Sequence, residues 1–285
     1  MKDASVQIRT ILEDNKSAIA EKVVEMQYGL YPEYWKKFGP EGKRLSIRDA
    51  GYHLPFLSEA IVSEDPDIFT GYVGWVKQLF KGLGFSDEVM INTLKCTREV
   101  LKEYMAEALF QTVAGYLEMG IKQMHEPVKA LPSYLDEKAP LGKLAIDFNK
   151  ALLKGNRHQA GKMIMDEVEK GTPIADIYLQ VFQNSQLEVG RLWLENEITV
   201  AQEHFVSAAT QMIMSRLYPY IFSTERKGLN FVAACVGGEL HEIGIRMVAD
   251  FLEMDNWSTY HLGANTPNHS LIKTVLEKQV DVLAI

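Results

Sequence analysis

Between Asn230 and Met254 the pattern of apolar positions changes period. Phe231 to Val236 is a continuous apolar run closed by Gly237-Gly238, as in a strand buried on both faces of a parallel sheet. Behind it Ile243, Met247, Val248, Phe251 and Leu252 recur at helical spacing. The alternation continues and predicts strand 230–236, helix 241–254, strand 257–262, helix 268–279 and strand 280–285. That order describes a doubly wound α/β domain of flavodoxin-like (Rossmann) type. The chain stops inside the apolar run Val280 to Ile285, and an exposed third strand would be a liability. The native polypeptide is therefore expected to continue, or the chain to be a trimmed product.

Upstream the period is helical. From residue 4 to about 125, positions such as Ile8, Ile11, Leu12, Ile19, Val23 and Val24 recur every three to four residues. Breaks are expected at Tyr31-Pro32 and at Phe38 to Lys43, with helices over 46–63, 66–82, 86–102 and 103–123. Ser46, Asp65 and Ser86 are the expected N-caps, and Pro66 suits a first helical position. The segment 126–140, with three prolines and little periodicity, reads as a linker. Four more helices, about 141–154, 156–170, 173–194 and 199–222, follow with short connections and predict an up-and-down bundle. Gly155 and Gly171 close the first two, Asn156 and Thr172 are expected caps, and Thr199 opens the fourth. The expected domains are 1–125, the linker 126–140, the bundle 141–225 and the α/β domain 229–285.

Composition narrows the function classes. The chain of 285 residues is 47% hydrophobic and 24% charged, as in globular proteins of two or three domains. No apolar run is long enough to span a membrane, and the N-terminus lacks a signal-peptide core. The net charge of −8 argues against a nucleic-acid face. Cys96 and Cys235, both inside predicted elements, read as reduced buried thiols of a cytoplasmic protein.

Three places carry candidate chemistry. The loop Glu239-Leu240-His241-Glu242-Ile243-Gly244 joins the first strand to its helix, at the sheet edge where open α/β folds bind ligands. His241 is either a polar residue capping the helix or a ligand whose tautomer Glu239 fixes. Gly244 leaves room beside it. The next such loop, Gly263 to Asn268, offers backbone N–H groups and Thr266. In the bundle, Trp193 is followed nine residues later by Glu203-His204. This is either a helix-end aromatic and an exposed charged pair, or part of a site. In the first domain Tyr28, Tyr31, Tyr34, Trp35, Tyr52, Tyr72 and Trp75 crowd around Arg44, Arg48, Asp49 and His53. One reading is a core with amphipathic aromatics at its rim. The other is a pocket for a large planar cofactor, with the arginines on its carboxylates and His53 or Asp49 on its nitrogens. The pattern fits haem, with His53 as axial ligand, as well as a bilin.

The loop 239–244 resembles the (D/E)-x-H-x-x-G motif of cobalamin-binding domains, and the preceding bundle resembles their cap. The Trp193…Glu203-His204 spacing is similar to the W-x9-E-H motif of light-sensing adenosylcobalamin proteins of CarH type. This resemblance covers about 141–285. It implies that His241 is the lower cobalt ligand, and that Trp193, Glu203 and His204 surround the upper adenosyl group. Some members place a cobalt-ligating histidine directly after the tryptophan. Here that position is Leu194, leaving His204 or water to take the site after photolysis. The N-terminal domain of CarH-type repressors that binds DNA is replaced by the aromatic helical domain. The later Ser-x-Leu and Gly-Gly elements that line the nucleotide-tail tunnel in that family are expected after the third strand, beyond where this sequence stops. The first domain is similar to the helical module of photocobilins, which pair cobalamin with biliverdin. Arg44, Arg48, Asp49, Tyr52, His53 and Trp75 would then hold biliverdin, non-covalently because no cysteine lies there. The expected protein is a non-enzymatic light sensor, a homo-oligomer whose state changes with light and whose partners are small-molecule chromophores. The alternatives are a corrinoid methyl carrier of a methyltransferase system and a non-photochemical cobalamin sensor.

Overall fold

The computed structural model describes residues 2–128, 130–222 and 225–285. It divides into two compact units, Met1–Ala130 with Leu194–Asn196, and Leu131–Trp193 with Glu197–Ile285.

The first unit is all helical: α1 (Lys2–Asp14), α2 (Lys16–Leu30), α3 (Pro32–Trp35), α4 (Gly39–Val62), α5 (Pro66–Gly82), α6 (Asp87–Leu101) and α7 (Glu107–His125), with a 3-10 turn at Lys36–Phe38. The caps at Asp65 and Ser86 form, each side chain accepting an N–H two residues on. The break expected over Phe38 to Lys43 is confined to Phe38–Gly39, and the next helix starts at once rather than at Ser46. Gly39, at φ +61°, turns the chain, and Pro40 then sits in the first turn of α4. There its missing N–H costs nothing, so the proline starts the helix. Ser46 is consequently inside α4, its hydroxyl 3.3 Å from that of Tyr28, and caps nothing. Ile8, Leu12, Val24, Leu57, Phe69, Leu94 and Val113 share one buried core.

The second unit opens with a bundle: α8 (Gly142–Leu153), α9 (Arg157–Glu169), α10 (Ile174–Asp176) continuing through a π-helical stretch at Ile177–Gln183 into α11 (Asn184–Leu194), and α12 (Val200–Ser215). A short helix, α13 (Tyr218–Ile221), follows. Thr199 and Gln202 form a reciprocal capping box at the start of α12. Asn156 caps α9, whereas the Thr172 hydroxyl donates to Glu167 and Pro173 takes the cap position.

The α/β part is β1 (Asn230–Ala233), α14 (Ile243–Met254), β2 (Ser258–His261), α15 (Asn268–Glu277) and β3 (Val282–Ala284). The strands are parallel in the order β2-β1-β3, with Ala233 opposite His261 and Ala284. Strand β1 is central and buried. Phe231 and Ala233 pack toward Ala249, Ile245 and Leu252 of α14, while Val232 and Ala234 pack toward Leu271 of α15. Strand β1 ends at Ala233 although its apolar run goes on to Val236, with Ala234 N and Cys235 N still bonded to Ala284 O and Gly263 O.

Helix α14 is two-faced. Ile243, Met247, Phe251 and Met254 join the core of the bundle, so the helix is held between bundle and sheet. The seam is polar: Tyr178, from the π-helical stretch, donates to Asp250 Oδ2 (2.8 Å), and Arg246 reaches Ser215 Oγ (2.8 Å) and Tyr218 (3.1 Å). Burial pushes the carboxyl of Asp250 above its ordinary range, which makes its hydrogen bonds more important. Tyr178→Phe is expected to cost about 1–3 kcal/mol, the penalty of stripping a buried acceptor, read as a lower thermal midpoint.

Candidate functional site

Helix α14 starts at Ile243, so His241 stays in the loop at the carboxyl end of β1. Gly238, at φ +85°, reverses the chain after the strand, a conformation that favours glycine. Its N–H donates to Asn265 Oδ1 (2.9 Å), and Glu242 Oε2 accepts from Ala264 N (2.9 Å). These two bonds tie the loop before α14 to the loop before α15. Gly263, at φ +75°, lets that second loop approach: a Cβ there would stand 3.0 Å from Glu242 Oε2. Thr266 turns inward, donating to Leu262 O (3.3 Å).

The carboxylate of Glu239 accepts from both the backbone N–H and the ring Nδ1 of His241, each at 2.6 Å. These bonds hold the carboxyl below its usual range. With Nδ1 engaged as donor, Nε2 carries the lone pair, and the side chain is 93% exposed. A histidine in this arrangement can offer Nε2 to a ligand. Around it, Leu240 is 73% exposed, Val236 is also exposed, and a Cβ added at Gly244 would meet nothing within 4 Å. An apolar, open floor next to one free imidazole nitrogen suits a bulky ligand that brings its own metal. Among the described residues no three His, Cys, Asp or Glu side chains converge to hold a bare ion.

Trp193 packs, half-buried, against the bundle core at the end of α11. Glu203 and His204 lie in the first turns of α12 and form a second carboxylate–imidazole pair, Oε2 to Nδ1 at 2.5 Å, with His204 74% exposed. Ser207, one turn on, donates to the other Glu203 oxygen (3.0 Å) and lies 3.1 Å from Gln186 Oε1. Gln186 and Ser207 were not legible as members. Only the i+4 spacing of Ser207 from Glu203 hinted at one of them.

In the first unit, α4 and α5 bring part of the expected set together. Phe56 stacks on Tyr72 (centroids 3.9 Å apart), Trp75 follows at 6.4 Å, and His53 Nδ1 lies 2.8 Å from the Tyr72 hydroxyl. Arg48 sits over the exposed Tyr52 ring and pairs with Asp49, and Arg44 pairs with Glu41. The remaining aromatics are elsewhere. Tyr28, Tyr34 and Trp35 pack with one another and with Phe38, which lines up beside Phe85. Beside Tyr31, Tyr34 and Trp35 is an apolar cleft of about 310 Å³ that reaches Ser86 and Asn92 at the start of α6. The aromatic crowd is thus two groups. Phe56 is the member that sequence reasoning missed, although it stands one helical turn beyond Tyr52 and His53.

His53 is only 7% exposed, and burial lowers its pKa to about 4. A histidine held neutral in the fold but free to ionise when unfolded takes up its proton in the unfolded state first. Its contribution is complete above the unfolded value near 6.5 and falls by about 1.4 kcal/mol per pH unit down to 4. Urea unfolding of the first unit's transition should therefore weaken over that window, and His53→Gln should flatten the slope.

Family models match three stretches: a B12 binding domain model at residues 146–218, a second B12 binding domain model at 229–285, and a phycobilisome protein model at 1–124. The allophycocyanin alpha-B chain of Pyropia yezoensis is 24% identical over 125 residues, covering 42% of this chain and 77% of that one. The HTH-type transcriptional repressor CarH of Myxococcus xanthus is 30% identical over 126 residues, covering 43% of this chain and 40% of the repressor. The chain therefore spans well under half the length of that repressor. The monomethylamine corrinoid protein of Methanosarcina barkeri superposes with a TM-score of 0.45 at 17% identity, covering 50% of this chain and 68% of that one. No helix among the described residues is long and apolar enough to cross a membrane.

Proposed function

We propose that this chain, a CarH-like cobalamin-binding module joined to a phycobilisome-like helical domain, is a light-sensing binding protein and not an enzyme. The observation that carries the cobalamin part is the Glu239–His241 pair, which leaves one imidazole nitrogen free over an open apolar floor. In this reading His241 Nε2 is the lower cobalt ligand and Glu239 holds the tautomer that makes it one. Leu240 and Gly244 bound the floor, while Glu242, Gly263 and Thr266 fix the neighbouring loop. Trp193, Glu203 and His204 line the upper side, the tryptophan covering the adenosyl group and excluding water from it. When bound, adenosylcobalamin supplies a Co–C bond that light breaks. The chain's own part is to fix ligation below, shield the bond above, and change its bundle surface and oligomeric state once the upper side is vacated.

The α4–α5 face is assigned to biliverdin: Arg44 and Arg48 for its carboxylates, Asp49 for its pyrrole nitrogens, and Tyr52, Trp75 and His53 with its Tyr72 partner as the aromatic wall. Cys96 is buried, so retention there is non-covalent.

The discriminating variant is Trp193→Ala, assayed by titration with adenosylcobalamin and with methylcobalamin in the dark. A light sensor should lose adenosylcobalamin affinity by about tenfold or more while methylcobalamin binding changes little, as expected when one stacked aromatic wall is removed. Equal, wild-type binding of both would point to a corrinoid methyl carrier. Retained adenosylcobalamin affinity without any spectral or size change under light would leave a non-photochemical sensor.

A further inference from the structure

A second cleft in the C-terminal unit, about 400 Å³, is lined by none of the loop residues assigned to cobalamin. It lies on the α14 side of the edge strand β2. Thr259 and His261 pair with Phe231 and Ala233, whose side chains pack toward α14, and so they share that face. Helix α14 supplies Asp250 and Glu253, and the stacked rings of Tyr218 and Phe222 (centroids 5.0 Å apart) close the third wall.

The polar groups of this cleft are unevenly satisfied. Glu253 is fully used, by Arg226 at 2.5 Å and by the Thr259 hydroxyl at 2.6 Å. Asp250 is only 5% exposed; it accepts from the Tyr178 hydroxyl (2.8 Å) but has no cation so close. The nearest nitrogen of Arg246 stands 3.9 Å away, and that guanidinium directs its hydrogen bonds to Gln211, Ser215 and Tyr218. His261 Nε2 is buried without a hydrogen-bond partner among the described residues. Burial keeps that imidazole neutral and raises the carboxyl of Asp250. A desolvated carboxylate whose nearest cation stands 3.9 Å away, a buried imidazole nitrogen without a partner and two stacked rings suit one kind of ligand: a compact cation with several N–H donors.

We propose that this cleft is a second ligand site, taking a small organic cation of the amine or guanidinium class. The cation donates to Asp250 and His261 and lays its methylene or planar face on Tyr218 and Phe222. Asp250 and Tyr218 also belong to the seam that clamps α14 to the bundle, so the bound cation braces that seam. The site does not depend on the assignment of cobalamin to the His241 loop.

The test is calorimetric titration of the full chain with agmatine and putrescine as probes, and with glutamate and inorganic phosphate as anionic controls. Saturable binding of an amine below roughly 10 mM is expected, weakened about tenfold or more in Asp250→Asn and in His261→Phe. His261→Phe removes an atom that bonds to nothing, so the variant should fold, and far-ultraviolet dichroism confirms it. Should Asp250→Asn fail to fold, His261→Phe alone decides. The proposal is overturned by the absence of saturable amine binding, by binding that His261→Phe leaves unchanged, or by preference for the anions.

Discussion

His241→Ala is expected to leave a folded protein that has lost its hold on cobalt from below. The side chain is almost wholly exposed and its ring hydrogen-bonds to Glu239, so removing it opens no cavity and strands no buried group. Stability should stay within about 0.5 kcal/mol of wild type, as for an ordinary surface substitution. Cobalamin binding should fall far more. Disturbing the outer partner of a metal-bound histidine costs about 10–100-fold, and deleting the ligand itself should exceed that. Glu239→Gln sets the comparison, since an amide still reaches Nδ1 but no longer favours the required tautomer. The expected ranking of dissociation constants, measured by titration in the dark, is wild type, then Glu239→Gln, then His241→Ala. Equal affinity in all three would remove the lower-ligand assignment.

Gly142→Ala is expected to damage the fold instead. A Cβ at Gly142 would lie 1.9 Å from the carbonyl oxygen of Asp136 and 3.0 Å from its carbon, both backbone atoms that cannot rotate aside. Leu141 ahead of it already holds φ +54°, and the Gly142 N–H is committed to Ala139 O at 2.9 Å. The start of α8 would have to move away from the turn that crosses it. A cost of about 3 kcal/mol or more is expected, the upper end of overpacking penalties. Gly190→Ala is the counterpart: it lies in α11 with nothing within 4 Å of its Cβ position and should gain up to about 1 kcal/mol in helix propensity. Urea unfolding of the two variants should shift in opposite directions.

What the sequence made legible follows from where local rules decide the structure. The α/β order was readable because an apolar run such as Phe231 to Cys235 is buried on both faces as a central parallel strand, and β1 forms its first part, with Val236 emerging at the surface. The caps at Asp65, Ser86, Asn156 and Thr199 are local hydrogen bonds, and all four form. Pro40 misled because proline is both a breaker and a starter. Which role wins depended on Gly39 adopting a positive φ, which no spacing encodes. The π-helical stretch at Ile177–Gln183 was equally hidden, since one extra residue in a turn leaves the apolar period almost intact. Its effect is to place Tyr178 against Asp250 across the seam, a long-range pairing. The same limit split the aromatic crowd. Helical spacing ties Tyr52 and His53 to α4, but gives neither Phe56 one turn on nor the partner helix whose Tyr72 meets His53 and Phe56.

The most direct test of the central claim is an absorption spectrum of the protein loaded in the dark with adenosylcobalamin and biliverdin, recorded before and after green light. Each sample should also be run on a sizing column. The account predicts cobalamin bands that change irreversibly on illumination, a separate far-red bilin band, and a change in elution volume that His241→Ala abolishes. Cobalamin bands that remain unchanged after illumination, with no shift in size, would contradict it.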